Sequence, residues 1–221
     1  MGGNVAEPGT RERLVDAAIH LLSEGGPDSV QARKLAADVG VSTMAVYTHF
    51  GGMGGLVEAV ARTGFDRFNT RLAEVPRGTD PVEDLFRLGD AYREYALGSP
   101  NLYSVMFGIS APAGHRLAGG DVTSDGPGEH LPEGQEAFGQ LETVVSRAMH
   151  AGRLRTGDPA AVAGQVWSAI HGYVLLEIAG YFGELGRGMD IVGTPIAINL
   201  VIGLGDTGDA ARASAQRVWG G

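Results

Sequence analysis

The chain has 221 residues, 43% of them hydrophobic, enough for one large domain or a small one beside a larger one. It contains no cysteine, which excludes a disulfide framework, thiolate zinc sites and a cysteine nucleophile, and fits the reducing cytoplasm where we expect it. The net charge of −9 argues against general polyanion binding, but residues 1–75 hold seven Lys/Arg against nine Asp/Glu, so this part is nearly neutral at −2 and the remainder carries −7.

The N-terminus, MGGNVAEPGTRER, has no apolar stretch of the secretory kind, and residues 1–9 read as a flexible arm. No run approaches 18 apolar residues, so no membrane span is expected. Thr10 can cap a helix whose apolar face is Leu14, Ala17, Ala18, Leu21 and Leu22. Gly25-Gly26-Pro27 ends it. A short helix over about 31–38 turns Leu35 and Ala36 inward and stops at Gly40. Ser42 or Thr43 caps a third, about 43–49. A fourth starts inside GGMGG and carries Leu56, Val57, Val60, Phe65 and Phe68, with Gly64 as a weak point.

After the turn at 76–81, Asp80-Pro81 opens a helix with Leu85, Leu88, Tyr92 and Tyr95 on one face, broken at Ser99-Pro100. Asn101 to Phe107 is a short aromatic-rich helical piece, and residues 108–134, rich in Gly, Pro, Asp and Ser, read as a mobile loop. Leu141, Val144, Val145, Ala148 and Met149 mark a further helix. Asp158-Pro159 starts another that is apolar on most sides up to Tyr181, and Thr194-Pro195 one that runs through Leu204. Nothing alternates with period two and nothing repeats, so the fold class is all-α.

Residues 32–50 have helix-turn-helix spacing. Ala36 is small where two helices cross, Gly40 makes the turn, and Val41 and Val46 anchor the second helix on the first. Ser42, Thr43, Met44, Ala45, Tyr47, Thr48 and His49 cover the rest of that second helix, where short hydroxyl side chains suit contacts with phosphates or base edges. Spacing alone also allows an ordinary helical hairpin.

Leu35-Ala36-x3-Gly40-Val41-Ser42, then Tyr47-Thr48-His49-Phe50 and the glycine-rich step into the next helix, resemble the DNA-binding domain of TetR-family transcriptional repressors over residues 10–60. The resemblance implies an α-helical homodimer with an N-terminal three-helix helix-turn-helix domain (10–55) and a C-terminal ligand-binding and dimerisation domain (56–221). It implies release from double-stranded operator DNA when a small-molecule effector binds. It places Thr43, Met44, Ala45, Tyr47 and His49 toward DNA and Gln31 and Arg33 toward phosphate, with Phe50 a buried anchor. The family pattern has a phosphate-binding lysine where this chain has Met53. Trp167-Ser-Ala-Ile-His171-Gly172 resembles the W-x3-H-G signature of one subclass of TetR C-terminal domains, either as a pocket wall or dimer face, or as a packed core pair.

Tyr92, Tyr95, Tyr103, Met106, Phe107, Trp167 and His171 are the candidate effector-binding residues, set against a plain core role, and no basic cluster awaits an anion. Helices near 159–181 and 194–204 are too apolar to face water and are the expected dimer interface. Gly203-Leu-Gly205-Asp-Thr-Gly208 fits a dinucleotide-binding pattern, but too little chain follows for a second strand, so it reads as a helix end and loose tail. The six histidines show no metal-ligand spacing, and no catalytic constellation stands out. The expected function is a sequence-specific transcriptional regulator without enzyme activity, metal or cofactor. The alternative is a small-molecule-binding helical protein with weak or lost operator binding, favoured by Met53.

Overall fold

The computed structural model describes residues 9–117, 131–184 and 187–220. Among these there are ten α-helices and no strand. The chain packs as two units, Met1–Arg67 with Ser99–Gly120, and Phe68–Gly98 with Asp121–Gly221.

The first unit is built on α1 (Thr10–Gly25), α2 (Ala32–Val39), α3 (Met44–Phe50), the first part of α4 (Met53–Ala73), and α6 (Pro100–Met106). Gly9, not Thr10, is the residue before α1, and its N–H donates to Glu12 Oε2 at 3.0 Å, tying off the helix start. Leu14, Val15, Ala17, Ala18 and Leu22 are buried, while Leu21 stays half-exposed. Ser29 closes the turn after α1 by donating to the Leu21 and Gly26 carbonyls at 2.5 and 2.6 Å. α6 is tied to the end of α1 by Asn101 Nδ2, which donates to the Leu22 carbonyl at 2.9 Å. Gly64 is no weak point: α4 runs through it unbroken, and a Cβ there would sit 2.8 Å from the Met106 side chain, so its smallness lets α6 approach.

The second unit holds the rest of α4, α5 (Pro81–Gly98), α7 (Pro132–His150), α8 (Pro159–Ile178), α9 (Thr194–Gly203) and α10 (Gly208–Trp219). α7 begins well before the apolar positions that announce it, and residues 118–130 of the expected loop lie outside the described residues, as do 1–8 of the arm. α8 ends at Ile178 rather than at Tyr181, because Gly180 turns left-handed two residues later. A π-helical turn, Met189–Gly193, leads into α9.

The expected loose tail is a correction. Residues 208–219 form α10, packed on α5 and α9. The glycine-rich run is the corner before it. Gly205 takes φ 122°, and the buried Asp206 carboxylate accepts from Thr207 N at 2.9 Å. Thr207 Oγ1 then caps α10 by accepting from Ala210 N at 3.3 Å.

Arg153, in the α7–α8 connection, ties this corner to the start of α5. Its Nε and Nη2 donate to both Asp206 oxygens at 2.8 and 2.7 Å, and its Nη1 donates to Asp80 Oδ1 at 2.6 Å. Ser214 Oγ donates to Asp80 Oδ2 at 2.6 Å, Arg217 donates to the same oxygen, and the Val82 N–H donates to Oδ1 at 3.0 Å. Burial raises the Asp80 pKa, but the Ser214 hydroxyl, the Arg153 guanidinium and the Val82 N–H together outweigh it and bring the carboxyl down to about 2. This carboxyl is lowered relative to the unfolded chain, so its contribution to stability is complete above about pH 5 and is lost as pH falls through about 2. Acid titration of unfolding should therefore show a loss between those limits that Asp80→Asn removes, while lowering the neutral-pH thermal midpoint.

Candidate nucleic-acid interface and effector site

α2 and α3 meet through Leu35, Ala36, Val39 and Val46, all buried, whereas Val41 is half-buried. Gly40 closes α2 in the left-handed region, and the Val41 N–H reaches back to the Ala36 carbonyl at 2.9 Å. With Val46 spent on the core, the opposite side of α3 is left to solvent. Met44 and Tyr47 are 63% and 58% exposed, too much for apolar side chains with a packing role. Ser42, Thr43, Thr48 and His49 are exposed as well, and Ala45 is half-exposed.

Thr43 occupies the cap position of α3, yet its hydroxyl makes no capping bond, and the Ser42 hydroxyl likewise has no partner among the described residues. Thr48 differs: its hydroxyl already donates to the Met44 carbonyl at 3.0 Å. Gln31 and Arg33 are both exposed at the start of α2. Gln31 Nε2 donates to the Asp28 carbonyl at 3.1 Å. Arg33 has no ion-pair partner among the described residues.

Phe50 is half-exposed rather than buried, and the Arg11 guanidinium lies over its ring, 5.2 Å from the centroid. This places an exposed cation from the start of α1 beside the end of α3. Sequence reasoning passed over Arg11, since TRER reads as an ordinary polar helix start.

The GGMGG segment joins α3 to α4 in two residues. Gly51 caps α3 with φ 72°, its N–H on the Tyr47 carbonyl at 2.9 Å, and Gly52 follows with φ 133°. Gly55 is needed for a different reason: a Cβ there would run into the Phe50 carbonyl. Met53 is the first residue of α4 and is half-exposed. The first intrahelical bond of α4 is Leu56 N to the Gly52 carbonyl at 3.2 Å, so the N–H groups before it point out of the helix start.

In the second unit Tyr92, Trp167 and His171 come together. Trp167 Nε1 donates to the Tyr92 hydroxyl oxygen at 3.3 Å, which lies 2.9 Å from His171 Nδ1. With its oxygen accepting from the indole, the phenol can give its proton to Nδ1, an arrangement that requires a neutral His171 protonated on Nε2. Burial pushes the His171 pKa below its ordinary value, in the same direction. Phe68 packs on both Tyr92 and Tyr95 at 5.1 Å between ring centroids, and Phe138 on Trp167 at 6.3 Å. The other three candidate residues belong to the first unit. Tyr103 and Met106 are buried there, and Phe107 packs on Phe65 and Tyr103 at 5.3 and 4.8 Å.

On the helices expected at the dimer interface, Val174 and Val201 are buried, whereas Val162, Leu175, Ile178 and Ile198 are half-exposed. Leu176 and Ile196 remain 45% and 39% exposed. Among the described residues no group of His, Cys, Asp or Glu could hold a metal ion, and no helix is long and apolar enough to cross a membrane.

Comparison with known proteins bears on both units. Residues 14–60 match the model for bacterial regulatory proteins of the tetR family, and residues 85–192 match that of the tetracyclin repressor-like C-terminal domain. An uncharacterised HTH-type transcriptional regulator of Mycobacterium tuberculosis is 28% identical, covering 91% of this chain and 85% of that protein. A protein of unknown function from Rhodococcus sp. RHA1 superposes with a TM-score of 0.72 at 24% identity, over 92% of this chain and 99% of that one. The regulator RolR, in complex with resorcinol, gives 0.64 at 18% identity, over 94% and 93%.

The tight α3–α4 crossing generates a prediction. Gly55→Ala should push α3 away from α4, costing roughly 1–3 kcal/mol of stability. The check is a urea unfolding midpoint, with binding to DNA measured on the fraction that remains folded.

Proposed function

Because the chain belongs to the tetR family of bacterial regulatory proteins, we propose that it is a dimeric repressor that lays α3 in the major groove of a palindromic operator and leaves it when a small effector binds. The observation that carries this reading is the side of α3 with no structural employment. Met44 and Tyr47 stand out in water, and among the described residues the Ser42 and Thr43 hydroxyls are left without partners. Thr43, Met44, Ala45, Tyr47 and His49 read bases and the adjoining backbone. Ser42, Thr48, Gln31, Arg33 and the newly identified Arg11 hold phosphates.

α8 and α9 form the dimer interface. Their exposed Leu176, with half-exposed Val162, Leu175 and Ile198, gains from covering by a second copy, at roughly 25 cal/mol per Å² of apolar area. A two-fold dimer sets the two reading helices about 34–36 Å apart, one turn of the duplex.

The effector site lies at Tyr92, Tyr95, Trp167 and His171, the last two forming the W-x3-H-G element of the subclass reading. The Trp167–Tyr92–His171 chain supplies the few oriented polar groups that a mostly apolar pocket uses for specificity. RolR, whose likeness here is one of fold, was solved with resorcinol, and a phenolic effector of that size suits an imidazole–phenol–indole set. An effector that prefers one spacing of the reading helices shifts the dimer away from DNA.

The second reading, a helical sensor with weak operator affinity, draws on Met53. No cationic side chain starts α4, and the backbone N–H groups there must hold a phosphate alone. The experiment is a gel-shift titration on the gene's own upstream DNA against random DNA at several salt concentrations. Preference for the upstream DNA supports the repressor, and equal binding sinks it. Tyr47→Ala should abolish that preference with helicity unchanged by circular dichroism. Met53→Lys should tighten binding and steepen the logarithmic salt slope by about one unit per protomer. An unchanged slope would mean that the start of α4 stays off the backbone.

A further inference from the structure

We propose that a recess bounded by α5, α8, α9 and α10 binds a small organic ammonium ion with an apolar body. The recess is separate in its residues from the Tyr92–Trp167–His171 set, and it encloses a cavity of about 70 Å³. Its walls are largely aliphatic, with Val166, Ile170 and Leu200 among them. Its polar groups are few, and their pairing leaves a negative remainder.

Arg93 lines the recess but is occupied: its Nε and Nη2 donate to the two oxygens of buried Glu177 at 2.7 and 2.6 Å. That pair is neutral as a unit. Asp90, one turn earlier on α5, remains. Among the described residues both its oxygens accept from a single donor, Trp219 Nε1, at 2.9 and 2.7 Å. An ionised carboxylate has about four lone-pair sites, so most of its accepting capacity is unused. Burial pushes its pKa above the usual carboxylate range despite the Trp219 bond, in keeping with a carboxylate short of stabilising partners.

A second observation points into the same recess. The Tyr173 ring lines it, the residue is only 4% exposed, and its buried hydroxyl meets no partner at good hydrogen-bond geometry among the described residues, the Arg93–Glu177 pair approaching it without closing a well-aligned bond. A ligand donor gives that buried hydroxyl oxygen a well-aligned partner. Phe86 and Trp219, 4.9 Å apart at 35°, add aromatic faces to the same wall.

An ammonium group satisfies all three features: it pairs with Asp90, donates to Tyr173 and lies against aromatic faces. A neutral alcohol of the same shape leaves Asp90 uncompensated, and an anion is repelled by it. A bare divalent cation would need six or more oxygen ligands, and this wall is mainly hydrocarbon.

The test is calorimetric titration of the full chain with 2-phenylethylammonium, alongside 2-phenylethanol and phenylacetate as neutral and anionic isosteres. The amine should bind once per chain, about tenfold or more tighter than the alcohol. Asp90→Asn keeps an acceptor for Trp219 and should remove that preference. Gly89→Leu projects into the recess from a position where a Cβ meets nothing within 4 Å. It should block the amine while helicity and DNA binding persist, which keeps the test decisive if Asp90→Asn misfolds. His171→Gln should leave the amine affinity as it is, so loss of the effector reading and loss of this one are distinguishable. Equal affinity for amine and alcohol, or no saturable amine binding, overturns the proposal. So does amine binding that survives Gly89→Leu or is abolished by His171→Gln.

Discussion

The second unit depends on one guanidinium. Arg153 sits in a connection between helices, where a chain has few backbone bonds of its own, and spends its donors on two carboxylates from distant parts of the sequence. Its pKa is driven up by Asp206, partly opposed by its own burial and reinforced by Asp80. Each of these groups would be expensive to bury alone, and together they satisfy one another. Around this cluster the start of α5, the corner before α10 and α10 itself take up fixed positions. Arg147 repeats the device nearby, donating to Asp84 at 2.7 Å and to the Gly78 carbonyl at 2.9 Å. Several of the chain's acidic residues are thus structural: Asp80, Asp84 and Asp206 hold the C-terminal helices through arginines of the same chain.

The first unit works by the opposite rule. Its helix ends are satisfied largely by backbone and by neutral side chains, such as Ser29 on two carbonyls and Asn101 on Leu22, with charged help from α1, where Glu12 holds the Gly9 N–H and Arg13 the Val39 carbonyl. Most of the polar side chains of α2 and α3 are consequently not consumed in holding the fold. Val46 alone anchors α3 fully, at 0% exposure, and the remaining positions are free to be chosen for what they touch outside the chain. A short helix held by one buried valine, a glycine cap and a close crossing at Gly55 is rigid enough to present side chains and small enough to enter a groove.

How far these features could be read beforehand differs by type. The helices of the first unit were legible because their apolar positions recur with helical period and their breaks are glycines. The exposed side of α3 followed from subtraction once Val46 was assigned inward. α10 was not legible. GDAARASAQRVW buries only Ala211, Ser214 and Ala215, too small to announce a core helix, and a glycine-rich approach masks its start; it is held by ions and by Trp219 docking on Asp90 and Phe86. Such long-range pairs leave no periodic trace. Glycine was misjudged at position 64 for a related reason: whether a glycine weakens a helix or admits a neighbour depends on Met106, which is far away in sequence. The aromatic residues were legible as a group but not in their division, since Tyr103 and Phe107 belong with Phe65 in one unit and Tyr92 and Trp167 with Phe138 in the other.

Met53 has a consequence for how such a regulator would fare in a cell whose ionic strength fluctuates. Each phosphate neutralised by a side chain releases condensed counterions, so each adds about 0.9 to the steepness with which affinity falls as salt rises. A dimer lacking this cation on both protomers gives up about two such contacts, and a doubling of salt then erodes its grip by about 3.5-fold less. Osmotic stress, which concentrates potassium around DNA, would disturb its operator occupancy correspondingly little. On the proposed operator-binding reading, the methionine at the start of α4 would exchange absolute affinity for constancy, leaving the small-molecule signal as the main determinant of when the DNA is released.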